Sequence, residues 1–349
     1  MSYLMECPVE IVLIISEYIS KVDRICLSLT CKALFCIIGV PNKTELKSPI
    51  KKMLLYRLEK AIPGVCYCQF RNKLIPFDRT NLPGLYDFGI IYKFERFSPG
   101  YYYLRMLRFP SSTFALSYHA ARLITNYGLL GPEHGVPPSC LSYLLPGDKI
   151  LYHWLPTPSR NVIRYDRNPN DIQMFWSLKD PEDRDQIYWR ESWKAKLIGG
   201  DLFLSATHSR FHSEAEGKAL QNSFNRCGFI CMHTAVQPQS ENKKHAANFP
   251  DIDGKLSKDS GYHSTGWCRF CMTDWDLSIQ WEGPSYGWVI VIKTYHDLGN
   301  CRSPFHWKWK AINMPTNKRA KRNNPGGIVK SRWLAEEGFD RSSFQSRNV

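Results

Sequence analysis

Between Glu6 and Ile38 the sequence ECPVEIVLIISEYISKVDRICLSLTCKALFCII is apolar over most of its length, and its apolar residues keep a helical period. Ile11, Ile14, Ile15, Tyr18 and Ile19 recur at i, i+3, i+4, i+7 and i+8, which lines one continuous face of an amphipathic helix. Pro8 stands just before it, where proline suits a first turn, and Glu10 complements the positive helix N-terminus. Asp23 is placed to cap a second helix starting near Arg24, with Ile25 and Leu29 on one face. A third short helix after Thr30 would turn Cys31, Leu34 and Phe35 inward before Pro41 closes the group. So small a module buries only part of this Ile and Leu, and excess apolar surface on a small module usually meets a partner. The same pattern would also serve a helical hairpin packed into the chain's own core. Burial of Ile11, Ile15 and Leu27 against later strands is what separates the two.

Pro8, Glu10, Ile11, Ile14, Ile15, Tyr18, Ile19, Asp23, Leu27, Ser28, Thr30, Cys31, Lys32 and Leu34 together resemble the F-box pattern. The likeness is to its fungal form, L-P-x-E-I, then Y-L, then D, then L-x-x-T-C-K-x-L, with Cys7 at the position of the leucine before the proline. The blocks AARLITNYGLLGPEHGVP, KAKLIGGDLFLSATHS, CMH and CRFCMTDW resemble the uncharacterised region that follows the F-box in one group of fungal F-box proteins. The resemblance implies docking on the Skp adaptor, and through it on the cullin, of a Skp–cullin–F-box ubiquitin ligase. It implies that Pro8, Ile11, Ile14, Ile15, Leu27 and Leu34 supply the apolar contact, with Glu10 and Lys32 as rim charges. The remainder would present an unknown protein substrate, transfer of ubiquitin being catalysed by other subunits. Cytoplasmic or nuclear localisation follows as an expectation.

The chain has 349 residues, long enough for one large domain or two with a small module attached. Its 46 Lys and Arg against 32 Asp and Glu leave a formal charge of +14, which favours acidic partners without specifying a fold. No uninterrupted apolar run approaches a membrane span, and Glu6 replaces the positive region of a secretory leader. Twelve cysteines without such a leader point to a reducing compartment, where paired cysteines mean zinc or packing more often than disulfides.

An α+β fold is expected: the three-helix module over residues 1–45, a connector helix over 46–65, a larger domain with antiparallel hairpins over 66–315, and a basic, partly flexible tail over 316–349. The connector carries Ile50, Leu54, Leu55 and Leu58 in helical period. Within Thr113–Gly135, Leu116, Ala120, Leu123 and Ile124 fit a helix ended by Gly128. Trp193–Phe211 reads as strand, Gly-Gly turn, strand. The polar run 237–266 reads as a long exposed loop. CMTDWDLSIQW and GWVIVIKTYHDL flank EGPSYG as a hairpin buried on both faces, and FHWKWK alternates as an edge strand would. A short helix is expected in VKSRWLAEEGF.

Cys268 and Cys271 form a C-x-x-C, and upstream CGFICMH offers Cys227, Cys231 and His233. Three thiolates and one imidazole make a closed structural zinc site, and the best set is Cys231, His233, Cys268 and Cys271. Cys227 could take the place of Cys231, since four residues apart they share a helix face. A metal here would fasten a long loop whose closure is otherwise entropically unfavourable. Buried free cysteines behaving as small hydrophobes are the alternative. Cys66 and Cys68 are too close to form the usual tight pair.

His119, His134, His153, His208 and His212 are scattered, and no serine elbow, P-loop or glycine fingerprint accompanies them, so no catalytic set is expected. The eleven tryptophans and the run KWKAINMPTNKRAKR raise the alternative of a zinc-stabilised, basic nucleic-acid-binding protein. Alternation of Trp307 and Trp309 favours sheet packing instead, and Lys318, Arg319, Lys321 and Arg322 suit a solvated loop or a nuclear-import signal.

Overall fold

The structure, a computed structural model, describes residues 4, 6–39, 48–78, 106–108, 115–144, 149–151, 187–211, 229–231, 233–238, 247–249, 256–284, 286–313 and 325–345. The fold is mixed α+β. Helices α1 (Val9–Tyr18), α2 (Lys21–Ser28), α3 (Lys32–Ile38) and α4 (Ser48–Ala61) open the chain. The hairpins β1 (Val65–Cys68) with β2 (Lys73–Pro76) and β3 (Met106–Arg108) with β4 (Ala115–Ser117) precede helix α5 (Tyr118–Leu130). The strands β5 (Tyr143–Leu144), β6 (Lys149–Leu151), β7 (Ile187–Ile198) and β8 (Asp201–Phe211) follow. A small separate sheet holds β9 (Phe229–Cys231), β10 (Thr234–Pro238) and β11 (Ala247–Phe249), in which β10 and β11 run parallel. The chain continues through β12 (Tyr262–Trp267), β13 (Thr273–Trp281), β14 (Trp288–Asp297), α6 (Trp307–Asn313) and α7 (Ile328–Gln345).

The main sheet is antiparallel throughout, in the order β12–β13–β14–β8–β7–β5, with β6 also paired to β7. Its centre is the β7–β8 hairpin, turned by Gly199 and Gly200 at φ 59° and 82°. Two successive positive φ angles are what a two-residue hairpin turn of this hand requires, and glycine adopts them without strain. Side chains then alternate between two covered faces. Trp193, Leu202, Leu204 and Ala206 meet Leu123 and Ile124 of α5 on one face. Ile198, Phe203 and Tyr295 meet Val329 and Trp333 of α7 on the other. Helix α5 comes so close to β7 that a Cβ on Gly128 would lie 2.7 Å from Leu197 Cδ1.

That close approach explains one departure from expectation. Gly128 sits inside α5, which runs on to Leu130 and ends at Gly131 with φ 104°. Leu116 belongs to β4, and the Ser117 hydroxyl caps the helix by accepting from Ala120 N. Residues 237–266 are not one long loop: they include the end of β10, all of β11 and most of β12, whose residues alternate between half-buried and exposed along an edge strand. FHWKWK is not an edge strand: Trp307 opens helix α6, and Trp309 is buried against Tyr118 with ring centroids 5.3 Å apart. The short helix expected near the C-terminus is an 18-residue one. Pro41 and the 318–322 cluster lie outside the described residues.

The N-terminal helices form where expected, but α2 begins at Lys21, and Phe35, expected inward, is exposed. Ser20, not Asp23, caps α2: its hydroxyl accepts from Asp23 N at 3.2 Å and donates to Asp23 Oδ2 at 2.6 Å. Cys31 caps α3 through its sulfur, which accepts from Leu34 N. Val22 and Ile25 of α2 pack against Leu54 of α4, with Ile50 and Leu58 beside them. Arg57 of α4 pairs with Asp23 across the same seam.

The opposite side of α4 locks into the larger domain. The Glu59 carboxylate is fully buried and accepts from Arg122 Nε and Nη2, at 2.9 and 2.6 Å. It also accepts from Arg302 Nη2, Asn126 Nδ2 and the backbone N of Tyr67, at 2.9, 3.0 and 2.9 Å. His134 Nδ1 donates to the Glu59 carbonyl at 3.0 Å. One carboxylate thus joins α4, β1, α5 and the loop after β14, and its bidentate arginine supplies the geometry that a buried charge needs.

Candidate metal centre and exposed helical face

Cys268 and Cys271 occupy the turn between β12 and β13. Cys268 N donates to Thr273 O at 2.8 Å and Thr273 N to Cys271 O at 2.9 Å, so the turn is closed by backbone bonds on both sides. Phe270 N donates to Cys268 Sγ at 3.4 Å. Cys231 ends β9 and His233 occupies the turn into β10. The two pairs therefore come from the main sheet and the small sheet, and the structure brings them together. The thiol sulfurs and an imidazole nitrogen of Cys231, His233, Cys268 and Cys271 all lie within 4.8 Å of one another. Cys231 Sγ is 3.8 Å from His233 Nδ1. The three cysteines are buried, and His233, half-buried, leans on the Phe270 ring.

The electrostatics of this cluster suit a cation. Hydrogen bonding from the Cys231 and Cys271 thiols holds the Cys268 thiol far below its usual range, against the effect of burial. Burial pushes the Cys271 thiol well up, reinforced by Cys231 and Cys268. Burial works to lower His233, but its hydrogen bonds to Cys231 and Cys268 push it up to about 10. A buried group that favours a thiolate beside a proton-bearing imidazole is one where a dication can take the place of the protons. In tetrahedral zinc sites with Zn–S about 2.3 Å, ligand sulfurs lie about 3.8 Å apart, a separation that falls within the 4.8 Å span of the four donors here. The residues can hold a metal ion, and three soft thiols with one imidazole match zinc in donor chemistry.

Around the cluster lies a polar chain that the sequence reading did not single out. Cys271 Sγ is 3.2 Å from Thr273 Oγ1, which is 3.0 Å from His296 Nδ1; His296 Nε2 is 2.9 Å from Thr294 Oγ1. Burial draws the His296 imidazole down to about 3, so it is neutral and serves as donor on one side and acceptor on the other. Such outer partners orient a ligand sulfur. No sequence spacing signals them, because Thr273 and His296 meet only through the β13–β14 register, where they are cross-strand partners. Cys227 lies outside the described residues. Cys66 and Cys68 are buried packing residues in β1.

Among the described residues, His119, His134 and His208 do not converge. His134 holds the Glu59 carbonyl, His119 rests near the Phe70 ring, and His208 lies 3.9 Å from Glu191 on the main sheet. His153 and His212 lie outside the described residues.

At the other end of the chain, α1 turns Val12 and Ser16 inward. Its Ile11, Ile14, Ile15 and Tyr18 remain 43%, 50%, 37% and 87% exposed, joined by Leu29 and Phe35. Pro8 is exposed, Leu27 half-buried, and Leu34 buried within the module, so Leu34 packs inward rather than presenting itself at the surface. No described helix is long and apolar enough to cross a membrane. In comparison with known proteins, the chain matches no family model, no curated protein and no solved structure.

Proposed function

We propose that the chain is a non-catalytic substrate-recognition adaptor of a Skp–cullin–F-box ubiquitin ligase, and that its larger domain is fastened by one structural zinc at Cys231, His233, Cys268 and Cys271. The observation that carries the adaptor reading is the unpaired apolar face of α1. A ten-residue helix leaving three isoleucines and a tyrosine 37% to 87% exposed would be a liability in isolation, and it suits a groove on a second helical protein. The Ile11, Ile14 and Ile15 side chains would supply the buried contact, with Pro8 and Leu27 at its edge. The larger domain would present a protein substrate, and the adaptor would act by raising local concentration near the ligase. Zinc would add rigidity and no reaction step: Cys231, Cys268 and Cys271 as thiolates and His233 as a neutral imidazole would close its coordination.

The test is affinity purification of the full chain with its Skp and cullin partners from native extract, followed by mass spectrometry. The wild type should bring down both, and Ile14→Asp neither. Retention of Skp by Ile14→Asp overturns the proposed face. Skp without cullin would mark an F-box protein acting outside the ligase, and salt-sensitive retention on DNA without Skp would favour the nucleic-acid alternative. Metal analysis of the purified chain should give one zinc, lost from Cys271→Ser.

A further inference from the structure

The turn that carries Cys268 and Cys271 does more than hold half of a metal centre. Residues on both sides of it seat the start of the C-terminal helix α7. Asp274, three residues after Cys271, takes the first turn of that helix in both carboxylate oxygens: Gly327 N donates to Oδ1 at 3.1 Å and Lys330 N to Oδ2 at 2.9 Å. Trp267, one residue before Cys268, lies so flat against the lead-in that a Cβ on Gly326 would meet its ring at 2.4 Å. Met272, between the two, packs with Val329, Trp333 and Tyr295, the cluster that glues α7 to the sheet. Its carbonyl accepts from Asp297 N at 2.9 Å, and Asp297 faces Arg332 of the helix at 3.5 Å. Cys268 and Cys271 themselves line the same crevice as Pro325, Ile328 and Val329.

We propose that metal loading at Cys231, His233, Cys268 and Cys271 governs the seating of α7 on the main sheet, through Trp267, Met272 and Asp274. The proposal rests on the zinc reading and adds to it a consequence some distance from the metal. The physical reason is that the β12–β13 turn, among the described residues, has no backbone bond to the small sheet. Its backbone bonds close it locally, while the ion ties it to Cys231 and His233 of the small sheet. Without that tie the turn can shift, and the three residues it positions shift together because they share one short segment. The rest of the α7 footprint, Ile198 and Phe203 on the β7–β8 hairpin, does not depend on the turn. Loss of metal should therefore free the first turns of α7 rather than unfold the sheet. Coupling of this kind is reciprocal: whatever loosens α7 must weaken the metal by the same factor.

The experiment is amide exchange on the full chain, zinc-loaded and after removal of zinc with a strong chelator, paired with chelator competition on Asp274→Ala. Exchange over 326–333 should speed by about tenfold on chelation while β8 and β14 change little. Asp274→Ala leaves every ligand in place and should surrender zinc to the chelator about tenfold more readily. Unchanged protection of 326–333 after zinc has left overturns the coupling while leaving the zinc site intact. Failure of the refolded chain to take up zinc at all overturns the zinc reading and the coupling with it. If chelation unfolds the whole chain, the competition decides: zinc retained by Asp274→Ala as tightly as by wild type overturns the proposal.

Discussion

Glu59 is the residue that joins α4 to β1, α5 and the loop after β14, and nothing local in the sequence marks it. It sits in a Lys-rich helix whose period is set by leucines, and its partners Arg122, Asn126 and Arg302 come from far along the chain. Burial works to raise its carboxyl, but the Arg122 hydrogen bonds and charge, with Arg302 and Asn126, hold it down at about 2. Removing one partner of a buried pair leaves the other uncompensated, so Glu59→Gln should cost about 3–5 kcal/mol, read as a drop in chemical-denaturation midpoint. His208 makes a second residue-scale prediction with a different pH window. Burial, then the nearby Arg210 charge, draws it down to about 3, with Glu191 3.9 Å away. A histidine kept neutral in the folded state must gain a proton on unfolding below its ordinary value of 6.5. Its contribution is therefore present above pH 6.5 and is lost as pH falls toward about 3. Glu59 contributes above 4.5 and loses its contribution as pH falls toward about 2. Comparing stability against pH, His208→Leu should flatten the curve already between pH 6.5 and 4.5, by up to about 1.4 kcal/mol per pH unit. Glu59→Gln should flatten it only below. Parallel wild-type and His208→Leu curves would show that His208 is not held neutral.

At the scale of elements, what was legible followed from period and from turn chemistry. The N-terminal helices, the Gly199–Gly200 hairpin and the β13–β14 hairpin were readable because each is specified by its own short stretch. The misread elements are those decided by tertiary contact. Trp307 and Trp309 alternate like a strand, yet the Trp309 ring fills space beside Tyr118 in a helix. Gly128 reads as a stop signal, but it is small because α5 must approach Leu197. The metal pairs were legible as two motifs and their meeting was expected from donor chemistry, as the structure bears out; what no spacing showed is that the small sheet carries one pair onto the β12–β13 turn. Within α1 the sequence names the apolar residues but not which of them turn inward, and there the structure makes a sharp prediction. Val12 is 2% exposed and Ile14 is 50% exposed, though both are aliphatic and two residues apart. Val12→Asp puts a charge at a buried position of α1 and should melt the module, seen as lost amide protection over 9–38. Ile14→Asp should leave that protection and the thermal midpoint within about 2 °C of wild type, because surface substitutions are usually near neutral. A folded Val12→Asp module would mean that α1 has been assigned the wrong inward face.

For the whole molecule, helix α4 sets the relation between the exposed face and the larger domain. It belongs to both: Leu54 completes the core of the N-terminal helices, and Glu59, little more than a turn later, is clamped by Arg122 and Arg302. A helix fixed along both sides transmits stability, so the small module borrows that of the larger domain, which alone it would lack at its size. The tryptophans allow this to be tested without labels. All eleven lie at or beyond Trp154 in sequence, so none belongs to the N-terminal helices and their fluorescence follows the rest of the chain, while amide exchange over 22–28 follows α2. In the wild type the two should melt within about 2 °C of each other, as one cooperative unit. Leu54→Asp puts a charge against Val22 and Ile25 without touching the Glu59 clamp. It should lower the midpoint of α2 by many degrees and leave the tryptophan transition nearly where it was. Glu59→Gln should lower both together, because it loosens α4 from the domain that supports the module. If Leu54→Asp moved both transitions equally, the two parts would share a core that the α4 seam does not account for. If Glu59→Gln moved only the tryptophans, the module would be stable on its own and α4 a passive linker.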